Sequence, residues 1–175
     1  GPYPLAEHWN GSAWMVQPTP APAGSVDAGF IGVSCPGLDH CVAVGDYRLS
    51  NGTVLPLAEA WHASSGWTIQ SAPEPGGQIG AGLDGVTCAS NTPCTAVGFQ
   101  YGNSDQLTLA EIWNGTAWSI ESTPNRTNSA SLAAVSCTSA DACIAVGSTG
   151  DTTSTSRTLA EFWNGTSWVI QPTPS

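Results

Sequence analysis

The chain has 175 residues, enough for one substantial core, and only three basic residues (Arg48, Arg126, Arg157) against thirteen acids, for a formal net charge of −10. A surface so poor in cations cannot gather phosphates or anionic headgroups, so neither nucleic acid nor an anionic membrane is an expected partner. No apolar run approaches the roughly eighteen residues of a membrane span, and Gly1-Pro2 reads as a tag-cleavage scar, so the absence of a signal peptide from these residues is compatible with one having been removed.

Residues 3–20 carry Leu5-Ala6-Glu7-His8-Trp9-Asn10-Gly11, then Trp14, then Pro18-Thr19-Pro20. The opening phrase returns at Leu57, Leu109 and Leu159, spacings of 52, 52 and 50 residues that belong to repeat architectures. Residues 1–175 therefore read as one repeat domain, with a partial repeat at 3–20 and full repeats at 21–72, 73–124 and 125–175.

Within each full repeat four short apolar segments follow one another, and none holds a helical period long enough for a helix. In the last repeat these strands, A to D, fall at 132–136, 143–146, 158–163 and 167–171. Strands A and B are joined by a cysteine loop: Cys35 and Cys41, Cys88 and Cys94, Cys137 and Cys143 share the frame Val-Ser/Thr-Cys-x5-Cys-x-Ala-Val-Gly. A pair recurring once per repeat favours three local disulfides, each worth roughly 2 kcal/mol because a short loop has little closure entropy to remove. Such bridges point to a secreted or cell-surface protein. Zinc is the competing reading, but it wants closer spacing and more ligands, and His8, His40 and His62 do not recur in register, so no metal or cofactor is expected.

Strands C and D are joined by Asn-Gly in three of four copies, the dipeptide of a tight two-residue hairpin, and the Pro-containing segment after D ends pairing. All eight tryptophans sit at the end of C (Trp9, Trp61, Trp113, Trp163) or the start of D (Trp14, Trp67, Trp118, Trp168). That regularity suits packing between units with the indole N–H bonded at the rim; a Trp-lined sugar site is the alternative. The repeated Glu7, Glu59, Glu111 and Glu161 invites a catalytic reading, but it recurs with the scaffold, so its carboxylate is expected to accept hydrogen bonds from loop N–H, hydroxyl or indole groups. Strand alternation puts Leu, Glu and Trp on one face and Ala with a variable residue on the other. The sequons at Asn10, Asn51, Asn114, Asn125 and Asn164 would be glycan acceptors only in a host with that machinery, and three of them coincide with the C–D turn.

These phrases resemble the tandem repeats of large secreted actinobacterial proteins, which are taken to form kelch-like or sialidase-like β-propeller blades. The resemblance covers residues 5–175 and implies an all-β, propeller-like array of four-stranded antiparallel blades in an extracellular setting. Four strands in about fifty residues is also what a blade requires on physical grounds. Fourteen predicted strands make about three and a half blades, so closure calls for a longer array or association of chains, for instance a dimer. A β-trefoil matches three four-stranded repeats in size, though its barrel has no place for an extra N-terminal hairpin.

Specificity should lie where the repeats differ. The departures fall in the B-to-C connections, at 45–51, 98–105 and 148–156, and the candidate ligand-binding residues are Asp46, Tyr47, Arg48, Asn51, Gln100, Tyr101 and Asn103. The expected function is non-catalytic, lectin-like recognition of a glycan or an extracellular protein. A structural or oligomerising scaffold unit and an extracellular glycoside hydrolase are the alternatives; the latter would need two carboxylates across a cleft, and the array offers no nonrepeating acid pair, little arginine and no G-x-S-x-G nucleophile motif.

Overall fold

A computed structural model describes residues 3–77, 79–90, 92–102, 105–125, 129–150 and 156–173. Its described residues are all-β. The partial repeat forms a hairpin of β1 (Ala6–Trp9) and β2 (Trp14–Gln17). The first full repeat is a four-stranded meander of β3 (Ser25–Ser34), β4 (His40–Leu49), β5 (Val54–His62) and β6 (Gly66–Gln70). The second consists of β7 (Gly80–Cys88), β8 (Cys94–Tyr101), β9 (Gln106–Trp113) and β10 (Trp118–Glu121). The third consists of β11 (Ala130–Ser139), β12 (Ala142–Gly150), β13 (Ser156–Trp163) and β14 (Trp168–Gln171). Each sheet is antiparallel, and none closes into the barrel that a trefoil would require.

The sheets stack in chain order. β7 packs across β3, β4 and β5, and β11 packs across β7, β8 and β9, so the first strand of the second and of the third repeat covers the preceding sheet. Two cores result. Val42, Val44, Leu83, Val86 and Leu109 fill the first, and Val97, Ala110, Leu132, Ala145 and Leu159 fill the second. A central strand is consequently covered on both faces: Leu57, Ala58, Glu59 and Ala60 are all buried. Leu57 and Glu59 still alternate with Ala58 and Ala60, but both faces of the strand are buried, so the alternation separates two packed faces and not a core face from a solvent face.

The three disulfides join the predicted partners, Cys35 to Cys41, Cys88 to Cys94 and Cys137 to Cys143, with Cα atoms 4.0 to 4.1 Å apart. Beyond each bridge the first strand carries a bulge. Leu83 pairs with Gly98 and Gly85 with Val97, leaving Asp84 unpaired; Ile31 and Ala133 are left out in the same way. The bulge explains the glycine that ends each Ala-Val-Gly. A Cβ on Gly45, Gly98 or Gly147 would collide with the backbone carbonyl of Gly29, Gly82 or Ser131.

The Asn-Gly turns are longer than predicted. Trp9 pairs with Trp14, so residues 10–13 form a four-residue loop in which only the glycine need adopt positive φ (97° at Gly11). Asn10 Oδ1 accepts from the backbone N–H groups of Ser12 and Ala13 and from the Ser12 hydroxyl, each at 2.9 Å. Asn114 and Asn164 repeat the arrangement with Thr116 and Thr166, so the Asn-Gly-Ser/Thr phrase is a side-chain-capped turn. The Thr of the Thr-Pro phrase has its own task. Thr19, Thr123 and Thr173 donate to the carbonyls of Pro4, Thr108 and Thr158, at 2.5, 3.1 and 3.1 Å, tying the end of D to the start of C.

Candidate functional site

The expected variable loops are mostly strand. Asp46, Tyr47 and Arg48 lie in β4, paired with Pro56, Leu55 and Val54, and Gln100 and Tyr101 end β8, paired with Leu107 and Gln106. Backbone pairing does not depend on side-chain polarity, so the ladder runs past the apolar segment that marked each strand in the sequence. What remains in the first repeat is the turn at 50–53, closed by a Gly52 N–H to Leu49 carbonyl bond of 2.9 Å. Asn51 caps that turn through its Oδ1, 3.0 Å from Thr53 N. Asn103 lies outside the described residues.

Pleating divides the predicted set. Gln100 donates from Nε2 to the Thr108 carbonyl (2.9 Å), which ties it to its own sheet. Tyr47 alternates with Asp46 and Arg48; burial raises its pKa, helped by the charge of Glu74. Asp46 instead comes against β7. A Cβ on Gly82 would stand 3.3 Å from Asp46 Cβ and 2.8 Å from the Phe99 ring, so only a glycine there lets the two side chains meet over the strand. Tyr101 extends this surface: its ring lies 5.0 Å from that of Phe99, and it approaches Gly80 beside Val54 of the first sheet.

Asp84 completes the cluster. It is the bulged residue of β7, and a bulge re-aims a side chain out of the ladder. Burial raises its pKa, and the Asp46 carboxylate raises it further. Burial also raises Asp46, with Arg48 pulling down and Asp27 pushing up. The first and second sheets thus bring together a nonrepeating carboxyl pair, a guanidinium and two aromatic rings.

Asp84 and Phe99 were not among the residues singled out from the sequence. The signal was present: Asp84 stands where the other repeats have Ile31 and Ala133, and Phe99 where they have Asp46 and Ser148. For Asp84 it becomes legible only when the bulge shows which residue each repeat leaves unpaired, whereas Phe99 lies in the variable 98–105 connection and gains its meaning from its place opposite Gly82.

The repeated glutamate behaves differently from expectation. Glu59, Glu111 and Glu161 are fully buried, and their carboxyl oxygens have no hydrogen-bond partner among the described residues. Burial pushes Glu59 up to about 7 and Glu111 up to about 8. Glu161 is raised by burial to about 7, with the nearby Thr108 hydroxyl opposing the shift. That hydroxyl is itself committed to Thr123 and Asn125, at 2.7 and 3.1 Å. Glu7 is exposed, because the N-terminal sheet has only two strands. The glutamate row follows sheet stacking and does not converge on one point, as a catalytic pair would.

Trp118, Trp163 and Trp168 are buried packing residues, Trp61, Trp67 and Trp113 are half-buried, and Trp9 and Trp14 of the partial repeat are exposed. Trp9 and Trp14, Trp113 and Trp118, and Trp163 and Trp168 form tilted pairs with centroids 5.7 to 5.9 Å apart. The longer second turn breaks the pattern: Trp61 stacks on His8 and Trp67 packs on Phe30. The expected rim bonds form at Trp118 to Gln70 (3.0 Å) and Trp163 to the Ala140 carbonyl (3.2 Å). The buried N–H groups of Trp67 and Trp168 have no partner among the described residues. His40 and His62 face each other across β4 and β5, 4.6 Å between centroids; burial and the neighbouring His62 lower the His40 pKa, and Asp39 opposes them. Among the described residues no three His, Cys, Asp or Glu side chains converge as a metal-binding set. The chain matches no protein-family model and no curated protein sequence.

Proposed function

We propose that this chain is a segment of a β-propeller-like array from a secreted protein and that it acts as a non-catalytic glycan-binding module. Its site is the junction of the first two sheets, where Asp46, Asp84, Arg48, Phe99 and Tyr101 gather. The observation that carries this reading is Asp46, which meets the Phe99 ring of the Phe99–Tyr101 pair across Gly82, with the bulged Asp84 of β7 near enough for the Asp46 charge to act on it. Carboxylates accept hydrogen bonds from sugar hydroxyls, while an aromatic face covers the apolar C–H side of a pyranose. The four departures from the repeat at this place, Asp46, Arg48, Asp84 and Phe99, do nothing for the scaffold that the other repeats need.

Glycan-array screening of the parent chain, followed by calorimetry on a hit, tests the assignment. Tyr101→Ala and Asp84→Asn should each weaken binding roughly tenfold or more, while Tyr47→Ala leaves it unchanged. A parent chain that binds no glycan would sink the proposal. The carboxyl pair is also the first ingredient of two-carboxylate glycoside hydrolysis. Turnover of chromogenic glycosides, lost in Asp84→Asn, would replace the binding reading with that one.

A further inference from the structure

The two-stranded N-terminal sheet leaves a half-built interface. Elsewhere the first strand of a repeat lies across three strands of the preceding sheet, but β3 has only the β1–β2 hairpin before it. The consequence shows at equivalent positions. Val86 is 8% exposed on β7, whereas Val33 on β3 is 62% exposed, and Ile31 and Leu5 are 56% and 65% exposed. Val33, Ile31 and Leu5, with Ala6, Glu7 and Phe30, line a groove of about 270 Å³ between β1 and β3. Along it runs the edge of β1 that faces away from β2, whose backbone groups have no ladder partner among the described residues.

We propose that this groove receives a disulfide-closed A–B hairpin of the same repeat, which completes the two-stranded β1–β2 sheet to four strands. It rests on the stacking of the sheets and not on the glycan reading. Three features specify the occupant. The first is register: in all three full sheets the Ala of Cys-x-Ala-Val-Gly stands opposite the repeated glutamate, as Ala43 to Glu59, Ala96 to Glu111 and Ala145 to Glu161. An incoming strand in the same register sets its Ala opposite Glu7 and its Cys opposite Trp9, by β-strand addition to a free edge. The second is position, since the groove lies before β3, where a full preceding sheet packs against β7 and against β11 in the later repeats. The third is a glycine requirement. A Cβ on Gly32 would lie 3.1 Å from the Asp84 carbonyl, and one on Gly85 would lie 2.9 Å from Ala134 Cα, so the first strand approaches the next sheet closely only where it carries glycine. The third repeat has Ala134 at that position.

The experiment adds an oxidised synthetic peptide of residues 130–150 to the full chain and follows binding by calorimetry and sedimentation. A 1:1 complex is expected, and the peptide with Ala134→Gly should bind roughly tenfold more tightly, because its backbone can seat against residues 31–33 without the extra Cβ. Val33→Asp in the chain, at a position exposed in the free protein, should weaken binding at least about tenfold while leaving the melting temperature unchanged. The inference is overturned if neither peptide binds, or if binding is indifferent to Ala134→Gly and Val33→Asp. It is equally overturned if the chain alone forms a dimer that Val33→Asp dissolves, which would assign the groove to a second copy. Glycan binding by the hairpin-free chain is measured in parallel, so the two proposals fail separately.

Discussion

Gly98 stands opposite Leu83 across β7 and β8, and a Cβ added to it would lie 2.8 Å from Leu83 Cα and overlap the Gly82 carbonyl. The atoms in conflict are backbone, which no rotamer change can move aside. Gly98→Ala should therefore destabilise the fold by about 2 kcal/mol or more, within the range of overpacked cores. Gly29→Ala, where a Cβ meets nothing within 4 Å, is the control and should cost far less. Urea denaturation of both variants decides it; equal losses would remove the bulge explanation.

Stability should fall as pH rises from about 5 to 8. Glu59, Glu111 and Glu161 have native pKa values of about 7, 8 and 7 against an ordinary 4.5. Below 4.5 both native and unfolded chains are protonated. Between 4.5 and the native values the folded state holds protons that the unfolded chain has released, so the slope of unfolding free energy with pH is negative, and it levels off above about 8. Each glutamate contributes on the order of 3 kcal/mol to the loss. Asp46 and Asp84, also raised, act in the same direction from 3.8 upward. Thermal melts across this range should show the decline, and Glu111→Gln should make it shallower, since an amide does not titrate while Glu59 and Glu161 still do.

The two aspartates of the candidate site should titrate as neighbours. The Asp46 charge helps raise Asp84. In Asp46→Asn the Asp84 carboxyl should therefore titrate at lower pH than in the parent, though still above 3.8 because burial remains. Carboxyl ¹³C chemical shifts measure this directly, and an unmoved Asp84 would place the two side chains out of electrostatic reach.

Position in the stack, more than residue type, sets what a side chain is worth. Leu83, fully buried between the first two sheets, should lose about 2 to 5 kcal/mol on truncation to Ala. Val33→Ala, on the uncovered side of β3, should stay within about 0.5 kcal/mol of the parent. Chemical denaturation of the pair tests whether the stacking order is correct.

The sequence by itself determined the features that act over a few residues. Cysteines six apart, an Asn-Gly phrase and a Trp at each side of the turn specify hairpins locally, and fourteen strands and three disulfides followed from their recurrence. Only the tertiary structure decided where one repeat meets the next. Val33 and Val86 share a motif and differ in burial because one has a whole sheet before it and the other does not. Gly45, Gly98 and Gly147 read as ordinary strand ends until the bulge opposite them appears. Asp84 carries no mark of its own in the chain; its meaning comes from Asp46, thirty-eight residues earlier, which sheet stacking sets beside it. Local hydrogen bonding is written in neighbouring residues, whereas an interface is a sum over both of its faces, and a single strand's sequence contains only one of them.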